Sequence, residues 1–299
     1  MNFYKEENPM GEFKSILHHV GEFQNMLHHE HTSPVFIISF LTVVFLFGIC
    51  VGSFLNVVII RLPRHESLIK RSSHCMTCGA KIRACDLVPV FSWLFLRGKC
   101  HSCGEKISPR YPIVESLNGI MYVLTFAVLD INADSIITCV LLSLLIVVGF
   151  MDWDTMEIDL IIVGLILLLA VPSAILTERS SVAHRIIGAL AISVPFFIIG
   201  EVSRGFIRKK TGEDYRAIEL GDTVLMFAAG ALLGTKAIIV SALLGIVIAA
   251  VCGLIYKRVT GDSKFAFGPY LSIGIAIGAL WGNGLADWYL KLLTAPAVQ

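Results

Sequence analysis

The sequence predicts an all-α polytopic membrane protein of about eight transmembrane helices, with a cytoplasmic zinc-ribbon-like insertion between the first two. Three observations carry this reading. Hydrophobic residues make up 56% of the 299 residues and charged residues only 16%, against about 25% charged in soluble domains; mean hydropathy is +0.77. Apolar runs long enough to cross a bilayer recur along the chain, and none alternates like a strand, which excludes a transmembrane barrel. Two Cys-x-x-Cys pairs stand in a basic segment after the first run. The composition also rules out a disordered chain, a coiled coil and a small disulfide scaffold. A net charge of +1 gives no case for nucleic-acid binding. Membrane lipid is the expected surroundings, and the 25 glycines suit close helix packing there.

The predicted spans are residues 34–60, 112–129, 135–151, 160–176, 182–200, 223–233, 237–256 and 265–285. The sixth is short and is expected to begin inside the preceding loop. Charge then sets orientation, because cytoplasmic loops carry the Lys/Arg excess. Ten Lys/Arg lie between Arg61 and Arg110, with further clusters at Arg204–Arg216 and Lys257–Lys264. Eight spans place these three loops and the acidic segment 152–159 on one side, expected to be cytoplasmic. Both termini are then extracytoplasmic. The expected organisation is an N-terminal extension at 1–33, a first helix at 34–60, a zinc-binding domain at 61–111 and a seven-helix membrane domain at 112–290. No cleavable signal is expected, since the first apolar run starts only after residue 33 and lacks a basic flank. His18, His19, His28, His29 and His31 in the extension raise the question of a metal; solvated side chains are the better reading.

Cys75, Cys78, Cys100 and Cys103 form two pairs with 21 residues between them. This spacing reads as a tetrahedral structural zinc site, each pair presenting two thiolates from a short turn. Gly79 and Gly104 follow the second Cys of each pair, where the turn calls for positive φ. Four unpaired thiols or a redox pair is the alternative. A reducing compartment disfavours a disulfide. Four thiolates close the coordination sphere, so such a zinc would hold together a domain too small for its own core. Cys50, Cys139 and Cys252 read as packing residues within spans, and Cys85 stands alone.

Two acidic clusters lie at the ends of spans. One is Asp152-Trp-Asp154 running on to Asp159; the other is Glu219-Leu-Gly-Asp222. Charges at a membrane are costly and often functional. One carboxylate from each cluster, meeting at a common depth, would share a proton and serve acid–base hydrolysis of a peptide bond. The alternative is that these acids cap helices and pair with nearby Arg. Glu115, Glu201, Glu219 and Asp287 are explained by snorkelling or ion pairing.

The motifs together resemble the type IV prepilin peptidases, which are bifunctional leader peptidases and N-methyltransferases of bacterial type IV pilus and type II secretion systems. The matching residues are Val51-Gly-Ser-Phe-Leu-Asn-Val-Val-Ile-Ile-Arg-Leu-Pro63, the two Cys pairs, Ser92-Trp-Leu, Arg97-Gly-Lys-Cys and Ile107-Ser-Pro-Arg-Tyr-Pro-Ile-Val-Glu115. They continue with the Asp152 cluster, Leu220-Gly-Asp222 and Phe267-Gly-Pro-Tyr270. The resemblance implies an intramembrane aspartyl endopeptidase of the inner membrane with Asp152 and Asp222 as its catalytic pair. Asp154 is the alternative to Asp152. It also implies prepilin or pseudopilin substrates, cleavage at the cytoplasmic face, and N-methylation of the new terminus with S-adenosylmethionine. Three positions depart from the family pattern: Asp159 stands where Pro is usual, Glu219 where Gly is usual, and Val224 where Lys is usual. No Rossmann fingerprint accompanies the methyl donor, and Gly52 and Asn56 sit in a matching motif where plain packing explains them equally well. Rival readings are a transporter or channel using intramembrane acids, a non-catalytic assembly protein of the same fold, and a peptidase without methyltransferase activity.

Overall fold

One long helix of the bundle is buried far more than the other long apolar helices, and one short helix is buried as deeply. In a computed structural model, the residues described are 34–70, 73–212, 214–261 and 265–294; the His-rich extension lies outside them. Their order is α1 (Pro34–Arg61), α2 (Phe91–Phe95), α3 (Arg110–Leu129), α4 (Ala133–Thr155), α5 (Leu160–Leu176), α6 (Val182–Thr211), α7 (Leu220–Leu233), α8 (Thr235–Thr260) and α9 (Gly268–Thr294). All except α2 match the eight expected spans, and α2 belongs to the insertion between α1 and α3. The most apolar stretch of α4 is 67% buried, against 28–39% in α1, α3, α6 and α8. Its Leu141, Leu142 and Leu145 join Leu225, Met226, Leu271 and Ile275 in the main core. Around it, α4 packs on α1, α3, α5 and α9, whereas α7 packs on α5, α6, α8 and α9.

Lipid offers no hydrophobic drive between apolar helices, so close backbone approach and polar contacts must hold them. Glycines supply the approach. A Cβ at Gly48 of α1 would lie 2.7 Å from the Gly119 Cα of α3. Gly188 and Gly230 meet in the same way between α6 and α7, as do Gly274 and Ser241 between α8 and α9. Polar side chains add hydrogen bonds across the interfaces: Asn118 donates to the Gly48 carbonyl at 2.7 Å, and Ser143 of α4 donates to the Asn118 side chain at 2.8 Å. At the end of the bundle away from the acidic clusters, buried Arg185 donates to Leu232 O at 2.6 Å and to Ser173 Oγ at 3.1 Å. Arg179 pairs with Asp134 there at 2.8 Å.

Several helices run past the expected boundaries: α8 reaches Thr260 and α9 reaches Thr294, and α6 and α4 are extended as well. Helix α6 continues from residue 200 to Thr211 and ends in Arg208, Lys209 and Lys210 before Gly212, whose φ is +76°. These cations favour the negative end of the helix dipole. Helix α4 continues beyond residue 151 to Thr155 and closes at Met156 in the left-handed region. Asp152 therefore stands in the last turn of a helix rather than in a loop. The expected sixth span begins at Leu220, three residues before its expected start.

Gly48→Ala would force the backbones of α1 and α3 apart. We expect a loss of about 1–3 kcal/mol, the usual cost of overpacking, read as a lower denaturation midpoint in detergent.

Candidate functional site

Asp152 and Asp222 reach one place from two helices that are held by other parts of the chain. Both residues are 5% exposed, and their carboxylates interact electrostatically. The Gly268 amide, at the start of α9, donates to Asp152 Oδ2 at 2.8 Å. A Cβ at Gly268 would lie 2.8 Å from that same oxygen, so the Phe-Gly-Pro-Tyr motif needs its glycine for this approach. Asp222 is the third residue of α7, and its Oδ2 accepts the Glu219 amide at 3.3 Å. Such a backward bond satisfies one of the orphan amides of a helix start. Gly221 lies against Ile158, where a Cβ would come within 2.9 Å.

Asp154 is differently placed. It pairs with Arg110 at 2.7 Å and its side chain is 38% exposed. The geometry thus gathers Asp152 and Asp222 and leaves Asp154 in an ion pair. The departures from the family pattern also have local explanations. Asp159 is the N-cap of α5 and accepts the Ile161 amide at 2.7 Å; Pro and Asp both suit a helix start. Glu219 caps α7, and Val224 lines a small apolar groove with Phe197 and Phe227. Glu201 pairs with Arg216, and Asp287 pairs with Lys236, as snorkelling acids near span ends would.

The four cysteines converge in a two-fold repeat. The Gly79 amide bonds Cys75 O at 2.9 Å and the Cys75 amide bonds Ala80 O at 2.9 Å. In the second pair, Gly104 bonds Cys100 O at 2.9 Å and Cys100 bonds Glu105 O at 2.8 Å. Gly79 and Gly104 have φ of +70° and +73°, as the turn requires. All four Sγ atoms lie within 4.8 Å of one another, and Cys75 and Cys103 are 3.9 Å apart. A tetrahedral zinc with Zn–S bonds of about 2.3 Å needs sulfurs about 3.8 Å apart. The Cys78 and Thr77 amides donate toward the Cys75 sulfur and hold its thiol down to about 6. At Cys103 the Glu105 amide favours the thiolate, but desolvation and the three neighbouring sulfurs outweigh it and push the thiol up to about 12. Four sulfurs this close cannot all ionise without a cation among them, and the donor set fits zinc.

The residue that sequence reasoning misjudged is Glu115. It is 7% exposed and accepts the Val90 amide at 2.7 Å, so it neither snorkels nor forms an ion pair among the described residues. Its place at the end of the Ile107–Glu115 motif was the available signal. It lines a cavity of about 450 Å³ between the C-terminal turns of α1, the cysteine turns and the start of α3. Asn56 lines the same cavity and donates to Tyr111 O at 3.1 Å.

Residues 46–129 match the model described as "Bacterial Peptidase A24 N-terminal domain", and residues 139–254 match the "Type IV leader peptidase family". The chain is 30% identical over 283 residues to the prepilin leader peptidase/N-methyltransferase of Aeromonas salmonicida, an alignment covering 85% of this chain and 95% of that one. The chain belongs to the type IV leader peptidase family. Another member, the Neisseria gonorrhoeae prepilin leader peptidase/N-methyltransferase, is 34% identical over 260 residues, covering 76% and 85% of the two chains. The Escherichia coli type 4 prepilin-like proteins leader peptide-processing enzyme is 33% identical over 272 residues, covering 82% and 92%. No solved structure gives a significant match. The first family match contains all four cysteines and the second contains both aspartates.

Metal analysis of purified protein is expected to give one zinc per chain. Cys75→Ser or Cys100→Ser should lose it, and chelation should lower thermal stability. A metal-free preparation of undiminished stability would contradict the site.

Proposed function

We propose that this family member is an intramembrane aspartyl endopeptidase that removes the leader of prepilin or pseudopilin substrates, with Asp152 and Asp222 as its catalytic pair. One observation carries the reading: two almost fully buried carboxylates, from helices far apart in sequence, stand at the ends of α4 and α7, Asp152 bonded to the Gly268 amide and Asp222 to the Glu219 amide. Two such groups hold one proton between them. The ionised member takes a proton from water as the water attacks the scissile carbonyl. The protonated member polarises that carbonyl and then protonates the leaving amine. The Gly268 amide fixes the orientation of Asp152, and the start of α7 fixes that of Asp222.

The names of the relatives support prepilin as substrate class and N-methylation as a second activity. The basic segments support a cytoplasmic active face, with both termini on the opposite side. Residues 61–111 form the proposed zinc domain and 112–290 the proposed membrane domain carrying the aspartates. Cys75, Cys78, Cys100 and Cys103 would hold the zinc, which with a closed sulfur shell would stabilise the fold around it. S-adenosylmethionine would supply an electrophilic methyl group. The lone pair of the new terminal amine forms the N–C bond, the C–S electron pair stays on sulfur, and the resulting ammonium releases a proton to water.

Asp152→Asn and Asp222→Asn are each expected to lower processing of a co-expressed prepilin by at least about 10²-fold while the protein still inserts. Asp154→Asn, which breaks only an ion pair, should retain most of the cleavage. Normal processing by the Asp222 variant would refute the assignment. Mass spectrometry of the mature pilin is expected to show one added N-terminal methyl group; an unmodified amine would restrict the enzyme to proteolysis.

A further inference from the structure

The insertion between α1 and α3 holds one run unlike the rest of it. Leu87-Val-Pro-Val-Phe-Ser-Trp-Leu-Phe-Leu96 carries no charge, although Asp86 and Arg97 bracket it and the stretches on either side are rich in both signs. An apolar run this short cannot span a bilayer; it suits a buried core element or a segment lying in the membrane interface. Exposure decides between the two. Val88, Phe91, Leu94 and Phe95 are 47%, 40%, 57% and 84% exposed, so the run is not a core element. Pro89, Ser92, Trp93 and Leu96 face the inner cavity, and Trp93 is fixed by its indole N–H bond to Ile107 O at 3.1 Å. The segment thus has an inner face seated on the protein and an outer face of four large apolar side chains.

Its tip is fastened below the end of a spanning helix. The Val90 amide donates to Glu115 Oε2 at 2.7 Å. Helix α3 has 20 residues, about 30 Å, which matches the hydrocarbon thickness of a bilayer. Glu115 stands five residues into it, about 7.5 Å from its start. Helix α1 gives a similar depth. A Cβ at Gly52 would lie 2.7 Å from the Glu115 Cα, and about 13 Å of helix separates Gly52 from the end of α1 at Arg61. Phe54 of α1 and Ile113 of α3 lie between these levels and the Asn56–Tyr111 contact, and both are exposed. The outer face of the run therefore continues a lipid-facing surface of the spans.

The backbone of the run meets the condition that lipid imposes, a protein partner for each amide. Pro89 has no amide. Phe91 donates to Pro89 O at 2.6 Å, Ser92 to Val88 O at 3.0 Å, Leu94 to Val90 O at 3.1 Å and Leu96 to Ser92 O at 2.9 Å. Val90, at φ +62°, uses the Glu115 carboxylate. Glu115 is then buried in order to receive the amide of a loop that enters the membrane.

We propose that residues 87–96 form a re-entrant membrane anchor, with Val88, Phe91, Leu94 and Phe95 inserted among the phospholipid acyl chains of the leaflet on the side of the cysteine turns. The anchor holds the cysteine domain down on the bilayer. It makes no use of the aspartate pair, so it stands or falls apart from the peptidase reading.

The test uses the full-length, zinc-loaded protein in nanodiscs whose phosphatidylcholine carries a diazirine on the acyl chain. After ultraviolet illumination, lipid-modified peptides are mapped by mass spectrometry. Residues 87–96 are expected to carry at least about tenfold more lipid adduct than residues 97–109, because only an apolar face sunk below the headgroups meets acyl chains. Absence of adducts in 87–96, with α1 and α3 labelled, would overturn the proposal. Adducts that vanish when prepilin is added would overturn it too and give the face to the substrate. A second measurement uses lipids brominated near the headgroup. Phe95→Trp adds fluorescence expected to be quenched by at least about twofold. Ile69→Trp, at a position 92% exposed in the charged stretch between Glu66 and Lys70, adds fluorescence expected to be unaffected. Equal responses at the two positions would overturn the anchor.

Discussion

The Gly268 amide bonded to Asp152 is the contact on which the arrangement of the membrane helices turns. It joins the last turn of the central helix to the first residue of the last helix, across more than a hundred residues of chain. In an apolar bundle a carboxylate at that position needs a donor, and only a glycine lets the α9 backbone come close enough to be one. Asp222 is held by a different neighbour, through Gly221 pressed on Ile158. Ile158 itself lies between the end of α4 and the start of α5. Asp152 is thus fixed by a segment distant in the chain, and Asp222 by the start of its own helix and by Ile158 against Gly221.

This explains why the pair lies at helix ends. A helix terminus offers unsatisfied amides, and those amides are what a buried acid requires. Asp222 uses the Glu219 amide at the start of its own helix, and Asp152 borrows one from another. A mid-helix carboxylate would find every nearby amide already engaged in the i→i−4 ladder.

Much of this was legible in the sequence for identifiable reasons. Long apolar runs mark spans because lipid permits nothing else, and α5 was bounded correctly at 160–176 because Asp159 and Thr177 flank it with polar caps. The cysteine turns were legible because ligand spacing and positive-φ glycines are local demands. The extension of α4 through Asp152 was not, since charge normally ends a span and the compensating amide lies at residue 268. The extension of α6 was hidden for the opposite reason: hydropathy sees where the lipid ends, not where the helix does. Glu115 was misjudged because an acid near a span end usually reaches water, and nothing in its neighbourhood announced a strained turn at Val90. Local rules read local structure; the site depends on pairings that close over long stretches of chain.

The two regions of the molecule are joined at Arg110. Its guanidinium pairs with Asp154 at 2.7 Å, donates to Phe150 O at 3.0 Å and lies 5.0 Å from the centre of the Phe150 ring. Phe150 and Asp154 bracket Asp152 on α4, one turn apart. Arg110 opens α3, directly after the second cysteine turn and five residues before Glu115. A single side chain therefore grips the helical turn that bears one acid of the pair while anchoring the segment that closes the cavity. Arg110 thereby fixes the turn that bears Asp152 relative to the start of α3 and the cysteine turns before it. Arg110 does so through contacts that a lysine could not reproduce, because they draw on several donors of one planar group and on its stacking.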